Sequence, residues 1–292
     1  MILVTGAAGP TGLAVLRALA RRGAAARALV RGMASARRVR EAGAVEVAVG
    51  DLGRDGDVRA AMAGVRRVYH IGPAMSDDEI GIGGRLVAAA LAAGVEQFAF
   101  HSVVHAQCDA LPHHRDKRRV EEMLVESALP YTLMKPTMYM QNLEREWDTV
   151  VRDGVYRLPY SEHARMGLVD LEDVAEAAAT MLTQDGWVGG EFELASGDVL
   201  SRVQMAEAIG DVLGRPVRAE RGSLEAWRPV AARTRTPFQV DRVATMYAHY
   251  DRHGLGGGNA RVLAMILRRP PTAFRDYVAR LVAQRAGATV PA

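Results

Sequence analysis

The sequence is poor in cysteine and in aromatic residues, and it lacks a long apolar run. One cysteine, Cys108, among 292 residues excludes an internal disulfide framework, so a reducing, cytoplasmic setting is expected. No apolar stretch approaches the roughly 18–20 residues that cross a bilayer, and a strand pattern at Ile2 leaves no room for a signal peptide. Aromatic residues make up only 5% of the chain. Because no basic stripe alternates with aromatics, we expect neither a nucleic-acid nor a membrane partner.

Lysine is also scarce. Of 37 basic residues only Lys117 and Lys135 are lysines, so arginine supplies nearly all the positive charge. A lysine in such a background indicates a position where a compact ammonium is needed rather than a planar guanidinium.

The first half of the chain alternates short β-rich runs with longer helical patterns. This alternation predicts an α/β fold with a doubly wound parallel Rossmann sheet, because parallel strands need crossover helices. Past residue 142 the alternation decays and helical patterns dominate. We therefore predict a Rossmann domain over residues 1–142, with some later segments returning to it, and a smaller, mainly helical region over 143–292. The predicted strands of the first domain are Ile2–Thr5, Ala26–Val30, Val45–Val49, Arg67–Ile71, Gln97–Ser102 and Tyr131–Lys135.

A glycine-rich loop stands between the first strand and the first helix, in the order Gly6-Ala7-Ala8-Gly9-Pro10-Thr11-Gly12. Gly6 permits a tight turn, Gly9 lets the backbone approach a diphosphate, and Gly12 lets helix and strand pack closely. The helix start adds free N–H groups and partial positive charge. The segment from Thr5 to Gly12, with Pro10 and Thr11, is the predicted dinucleotide-phosphate site.

Residues at the ends of the next strands are predicted to complete the same site on the side of the adenosine. The second strand ends at Arg31, where an NAD site usually has an acid, and a guanidinium there favours the 2′-phosphate of NADP(H). Arg37 or Arg38 is a possible helper. Asp51 and Leu52 follow the third strand and Gly72 follows the fourth, and together they outline one crevice at the carboxyl ends of the strands.

These residues resemble the NmrA-like branch of the atypical short-chain dehydrogenase/reductases. The resemblance covers most of the chain and weakens after about residue 220. It implies an NADP(H)-binding Rossmann domain, with a cleft between it and a helical C-terminal domain. It does not fix an activity, because the family includes several kinds of reductase as well as cofactor-sensing regulators. The segments that carry it are the glycine loop, Leu29–Arg31, Gly50–Leu52, Phe100–Val103, His113–Lys117 with Val120–Glu121, Leu129–Leu133, Lys135–Met138 and Val169–Ala175.

The sequence departs from the wider superfamily at its Tyr-x-x-x-Lys pair. Lys117 is present, but His113 stands four residues before it where a tyrosine is usual. If the helix extends back to His113, both residues lie near its buried stripe, and Lys117 then needs acceptors such as ribose hydroxyls. The alternative for Lys117 is a surface lysine whose stem packs on the fold. His113 has the pKa range of a proton donor, but a polar histidine at a helix start is the more frequent outcome.

Two further residues complete the predicted catalytic set. Ser102 ends the fifth strand and is expected to hold a substrate oxygen or the cofactor carboxamide, unless it only caps the backbone. Tyr139 follows the sixth strand and is expected to line the pocket.

The leading hypothesis is an NADPH-dependent reductase that transfers hydride to a small apolar acceptor, which is a carbonyl, an imine, a quinone or an activated alkene. Lys117 fixes the ribose, Ser102 orients the acceptor, and His113, Tyr139 or water delivers the proton. The alternative is a non-catalytic NADP(H) sensor that acts through a protein partner. A homodimer is compatible with either, and no metal is expected.

Overall fold

The computed structural model describes residues 1–288. It has two compact units: unit 1 contains Met1–Pro136 and Glu172–Glu193, and unit 2 contains Thr137–Leu171 and the described residues from Leu194 onward. Across the described residues no helix combines the length and apolar character needed to cross a membrane.

Strands and short helices alternate through the first half of the described chain. The strands are β1 (Ile2–Val4), β2 (Ala26–Val30), β3 (Glu46–Val49), β4 (Arg67–His70), β5 (Gln97–His101), β6 (Tyr131–Pro136), β7 (Met138–Tyr139), β8 (Val155–Leu158), β9 (Arg165–Val169), β10 (Gly190–Leu194), β11 (Val199–Ser201) and β12 (Arg218–Arg221). The α-helices are α1 (Pro10–Arg21), α2 (Ala36–Glu41), α3 (Asp55–Met62), α4 (Glu79–Ala92), α5 (Pro112–Glu126), α6 (Trp147–Asp153), α7 (Leu171–Thr183), α8 (Arg202–Leu213), α9 (Leu224–Ala231), α10 (Pro237–His253), α11 (Ala260–Leu267) and α12 (Phe274–Ala288).

Unit 1 is built on a seven-stranded sheet with the order β10-β6-β5-β4-β1-β2-β3. The pairs β1–β2, β2–β3, β1–β4, β4–β5 and β5–β6 are parallel. The predicted doubly wound Rossmann sheet is confirmed. The strand order reverses between β1 and β4, and ligands of such sheets bind outside the carboxyl ends of the strands at this point.

Burial on both faces of the central strands explains why they read as apolar runs in the sequence. Every residue of β1 and β5 is buried, as expected for a parallel sheet covered on both sides. Helices α4 and α5 pack closely at Gly83, where a Cβ atom would lie 2.6 Å from Cγ2 of Val120. A larger residue at Gly83 would therefore push the two helices apart.

The segment of α7 and β10 returns to unit 1 after the chain has left it. Gln97 donates from Nε2 to Thr132 Oγ1 at 2.9 Å and to the Met181 carbonyl at 3.1 Å. Arg67 donates to the Leu182 carbonyl at 2.6 Å. The buried Gln97 and the half-buried Arg67 thus have acceptors on a segment that is distant in sequence.

Unit 2 contains more strand than the sequence pattern predicts. It has a three-stranded sheet with the order β11-β9-β7 and a parallel pair of β12 and β8. Strands β8, β9 and β11 fall where no strand was expected. They are three to five residues long, which is too short to show a clear period. Their pairing depends on distant partners, so the local pattern carries little signal.

The largest fully buried side chain of unit 2 is Arg202, at the start of α8. It donates from Nη2 to the Tyr160 carbonyl, and its guanidinium lies 4.5 Å from the ring centroid of Tyr160 and 5.9 Å from that of Tyr156. Nε and Nη1 have no hydrogen-bond partner among the described residues. Aromatic faces therefore supply much of the environment of this cation.

Candidate active site

The glycine loop between β1 and α1 is shaped to leave backbone N–H groups open. Gly6 has a φ of 59°, and a Cβ atom at Gly12 would lie 2.4 Å from the Gly6 carbonyl oxygen. Gly9 precedes Pro10 at the start of α1, and no side chain caps the helix. The amides of Thr11 and Gly12 therefore lack a side-chain acceptor, and an anionic diphosphate fits there.

Arg38 lies beside this loop. Its guanidinium donates to the carbonyl of Ala8, so α2 places a positive charge at the edge of the predicted phosphate site. Arg37 instead pairs with Glu41 at 3.6 Å on the exposed side of the same helix. Arg31, at the end of β2, is exposed. Of the two predicted helpers of Arg31, the structure brings Arg38 to the loop.

Other predicted cofactor residues are already engaged within unit 1. The hydroxyl of Thr5 lies 2.8 Å from Nδ1 of His70 and accepts from the Ile71 amide at 3.0 Å, which ties β1 to the end of β4. Asp51 is exposed and accepts from the Gly53 amide at 2.8 Å. Leu52 packs against the core of the unit. The side chain of Thr5 is thus committed to the sheet, whereas Asp51 keeps further acceptor capacity.

Gly72 leaves room for a protein side chain. A Cβ atom at Gly72 would lie 2.3 Å from Oε1 of Glu79. The side of Gly72 on which a Cβ atom would lie is therefore occupied by the Glu79 carboxylate, and the contact of the Gly72 backbone with the cofactor stays a prediction.

Lys117 lies on α5 and points to the carboxyl end of β5. Its Nζ is 2.8 Å from Oε1 of Glu79 and donates to the His101 carbonyl at 3.3 Å. It also lies 5.2 Å from the ring centroid of Phe100. The side chain of Lys117 is 18% exposed and that of Glu79 only 6%. The ammonium is thus held next to the sheet edge and is not a solvated surface charge.

A second polar network begins at Ser102, directly after β5. Ser102 is 2% exposed, and its hydroxyl donates to Oε1 of Glu121 on α5. Oε2 of Glu121 is 3.1 Å from Nζ of Lys135, which is 2.5 Å from Oε2 of Glu191. Burial works to lower the pKa of Lys135, but the hydrogen bond to Glu191 and the charge of Glu121 outweigh it and raise this pKa. Lys135 therefore stays charged.

Two buried histidines flank Lys117. Burial, followed by the charge of Lys117, lowers the pKa of His70 to about 3 and that of His101 to about 3. His101 Nδ1 is 2.5 Å from the Tyr69 hydroxyl. Both imidazoles are uncharged at neutral pH, so neither has an imidazolium proton to give.

The structure places the remaining predicted catalytic residues in different units. Helix α5 begins at Pro112, so His113 and Lys117 lie one turn apart on one helix, as the interpretation of this pair required. His113 is half-buried, with its ring 4.5 Å from that of His114. Tyr139 lies in β7 of unit 2 and is half-buried. The roles of these residues stay predictions.

Sequence reasoning missed Glu79. The acidic run Asp77-Asp78-Glu79 looks like an ordinary helix start, and only the fold brings its last carboxylate to Lys117. The usable signal was indirect, since a scarce lysine near the buried stripe of a helix needs hydrogen-bond acceptors, and a carboxylate is one such acceptor. No group of three or more His, Cys, Asp or Glu side chains among residues 1–288 is arranged to hold a metal ion.

A parallel sheet of this order, with an uncapped glycine loop at its switch point, defines a dinucleotide-binding protein of the Rossmann class. The model of the NmrA-like family matches residues 1–266, and the chain belongs to this family.

Several characterised proteins are similar to this chain. A (4-alkanoyl-5-oxo-2,5-dihydrofuran-3-yl)methyl phosphate reductase from Streptomyces griseus subsp. griseus is 32% identical over 96% of this chain and 97% of its own length. An NAD(P)H azoreductase from Xenophilus azovorans is 30% identical over 77% of this chain and 78% of its own length. An NADPH-dependent quinone oxidoreductase from Escherichia coli, solved with NADPH, superposes with a TM-score of 0.83 at 24% identity and covers 97% of this chain and 100% of its own. This last likeness concerns the fold.

Proposed function

We propose that the protein is an NADPH-dependent reductase for a small, mainly apolar acceptor, which is a carbonyl, an imine, a quinone or an activated alkene. The observation that carries the proposal is the half-buried Lys117 ammonium, held by Glu79 and the His101 carbonyl at the carboxyl end of β5. The names of the reductase relatives support the same class of reaction.

NADP(H) is the cofactor of this reaction. Its diphosphate fits the open amides of Thr11 and Gly12, because anions bind at uncapped helix N-termini. Arg31 and Arg38 would hold the 2′-phosphate, since each offers a guanidinium near the end of β2 or at the loop. Asp51, Leu52 and Gly72 would line the adenosine side. When bound, the cofactor supplies the hydride.

Lys117 would bind the ribose hydroxyls and place positive potential beside the anion that develops on the acceptor. Its three N–H donors allow it to keep Glu79 while it binds a ligand oxygen. A proton must also reach the reduced acceptor. Because His70 and His101 are uncharged at neutral pH, His113, Tyr139 or a water molecule is assigned to this step.

The turnover experiment offers NADPH and a panel of quinones, azo dyes, enones, aldehydes and cyclic imines to the purified protein. We expect NADPH oxidation with at least one class of acceptor. Lys117→Arg keeps the charge beside Glu79 but changes its shape, and we expect kcat to fall by about 10- to 100-fold. Arg119→Lys is the control, because Arg119 pairs with Glu122 on the exposed side of the same helix, and it should leave kcat nearly unchanged. Equal losses in the two variants would contradict the assignment of Lys117.

Cofactor selectivity tests the adenosine side separately. Calorimetry should show NADPH binding about 100-fold more tightly than NADH, and Arg31→Ala or Arg38→Ala should each remove about 10-fold of that preference. Arg37→Ala is the control, because Arg37 pairs with Glu41 away from the loop. Equal affinities of the unaltered protein for the two cofactors would overturn the NADP(H) selectivity.

A non-catalytic NADP(H) sensor is the alternative, and the missing tyrosine before Lys117 is the observation that favours it. A sensor predicts tight cofactor binding, no turnover with any acceptor, and unequal affinities for NADP⁺ and NADPH. The proposal further places the protein in the cytoplasm and allows a homodimer. Light scattering of the purified protein measures its oligomeric state.

A further inference from the structure

The Ser102 hydroxyl has one hydrogen, and the structure shows where that hydrogen goes. It is donated to Oε1 of Glu121, a carboxylate that is 7% exposed. A hydroxyl has two lone pairs besides its single hydrogen, so Ser102 can still accept hydrogen bonds but cannot donate another one.

The Glu121 carboxylate is fixed as an acceptor by its other neighbour. Its second oxygen lies 3.1 Å from the Lys135 ammonium, and Lys135 also pairs with Glu191. Both neighbours of Glu121 are hydrogen-bond donors, so both of its carboxylate oxygens act as acceptors. Glu121 therefore keeps the Ser102 hydrogen in the bond to its Oε1.

The backbone around Ser102 is equally fixed. The Ser102 amide donates to the Met134 carbonyl of β6 at 2.9 Å, and the preceding His101 carbonyl accepts from Lys117. Ser102 thus lies directly after the buried strand β5, next to the ammonium that the proposed function assigns to the ribose. This is the edge of the sheet at which ligands of the fold bind.

We propose that the Glu121–Lys135 pair sets Ser102 as a hydrogen-bond acceptor, and that Ser102 thereby selects the N–H of the nicotinamide carboxamide rather than a carbonyl oxygen. A carbonyl ligand needs a donor, and Ser102 could serve one only by breaking its bond to a buried carboxylate. Glu121 and Lys135 are positioning residues in this scheme, because they act through Ser102. The inference rests on the proposed NADP(H)-binding function.

The test compares two cofactors by calorimetry, without any acceptor substrate. One is NADP⁺, whose carboxamide donates, and the other is its 3-acetylpyridine analogue, which has a carbonyl but no N–H. We expect the unaltered protein to bind NADP⁺ about 10-fold more tightly than the analogue, the usual size of one hydrogen bond.

Glu121→Gln is the informative variant. The Lys135 ammonium should attract the amide oxygen, which turns the amide N–H₂ toward Ser102 and makes Ser102 accept from residue 121. The Ser102 hydrogen is then free for the ligand, so we expect the ratio of the two affinities to fall to about 1 or to reverse. Glu122→Gln is the matched control, because it makes the same change on an exposed neighbour of the same helix and should leave the ratio unchanged.

Ser102→Ala keeps the test decisive if Glu121→Gln does not fold. It should weaken NADP⁺ binding by about 10-fold and leave the affinity for the analogue nearly unchanged. An unaltered preference for NADP⁺ in either variant would overturn the inference while the proposed function stands. If neither cofactor binds to the folded, unaltered protein, the proposed function itself fails and the inference fails with it.

Discussion

The two units accommodate buried positive charge in different ways. In unit 1, Lys117 and Lys135 are each paired with a buried carboxylate, Glu79 and Glu121 respectively. In unit 2, the buried Arg202 donates to a carbonyl and lies over tyrosine rings. The first arrangement holds an ammonium group in place with N–H donors left for a ligand. The second places a wide, flat cation among rings, where its shape matters as much as its charge.

The largest change in stability that would test this comparison is expected at Lys117. Lys117→Met should lower the free energy of unfolding by about 3–5 kcal/mol, because it leaves the Glu79 carboxylate buried without its partner. Urea denaturation measures this loss. The double variant Lys117→Met with Glu79→Leu should recover most of it, since neither charge then remains. A loss below about 1 kcal/mol in the single variant would mean that the pair is not effectively buried.

The next largest effect is expected where Gly72 makes room for the Glu79 carboxylate. Gly72→Ala should cost about 1–3 kcal/mol, because its Cβ atom would meet Oε1 of Glu79 at 2.3 Å and displace it from Lys117. Gly56→Ala is the matched control in α3. A Cβ atom there meets nothing within 4 Å, so this variant should gain about 0.5–1 kcal/mol. Thermal unfolding of both variants measures the contrast, and equal shifts would contradict it.

The pH dependence of stability tests whether the two buried histidines of unit 1 are uncharged. The pKa of His70 and that of His101 fall from 6.5 to about 3, chiefly through burial. Below pH 6.5 these two histidines bind protons in the unfolded chain but stay neutral in the folded chain. The free energy of unfolding should therefore decrease as the pH falls from 6.5 to about 3, by about 1.4 kcal/mol per pH unit for each histidine.

The measurement is the slope of unfolding free energy against pH, taken between about pH 6 and pH 4. His101→Gln should reduce this slope by the contribution of one histidine. His163→Gln should leave it unchanged, because the His163 side chain is 78% exposed. The same slope in His101→Gln as in the unaltered protein would show that His101 is protonated in the folded state.

The smallest effect is expected for Arg202→Met in unit 2. This substitution keeps much of the side-chain volume and removes two buried nitrogens, Nε and Nη1, that have no partner among the described residues. We expect the free energy of unfolding to change by less than about 1 kcal/mol. Arg202→Ala should cost about 3 kcal/mol, because it leaves a cavity between the tyrosines. If both substitutions cost the same, the charge of Arg202 and not its packing stabilises unit 2.

The fold of unit 1 was predictable because its signals are local. The apolar run Ala26–Val30 and the Gly6–Gly12 loop each predict their local conformation without reference to distant residues. Strand β2 has the same bounds as predicted. Strands β8, β9 and β11 of unit 2 were missed. Strand β9, for example, gains its partners from β7 and β11, which lie on either side of it in the sequence. Their pairing depends on tertiary structure that no short window contains.

The candidate site divides in the same way. The glycine loop and the scarce Lys117 were identified from the sequence, since one is a motif and the other is a compositional exception. Glu79 and the hydrogen-bond direction of Ser102 were not. Both depend on which carboxylate the fold brings to which donor, and neither spacing nor residue type specifies that.

The return of α7 and β10 to unit 1 has a consequence for how the protein is made. As the chain leaves the ribosome, residues 1–136 emerge first, yet Gln97 and Arg67 still lack the acceptors that Met181 and Leu182 provide. The edge of β6 is also still uncovered, because β10 is synthesised later. Unit 1 therefore completes its sheet only after a stretch of unit 2 has been translated. A fragment that stops at Pro136 should expose this edge and aggregate.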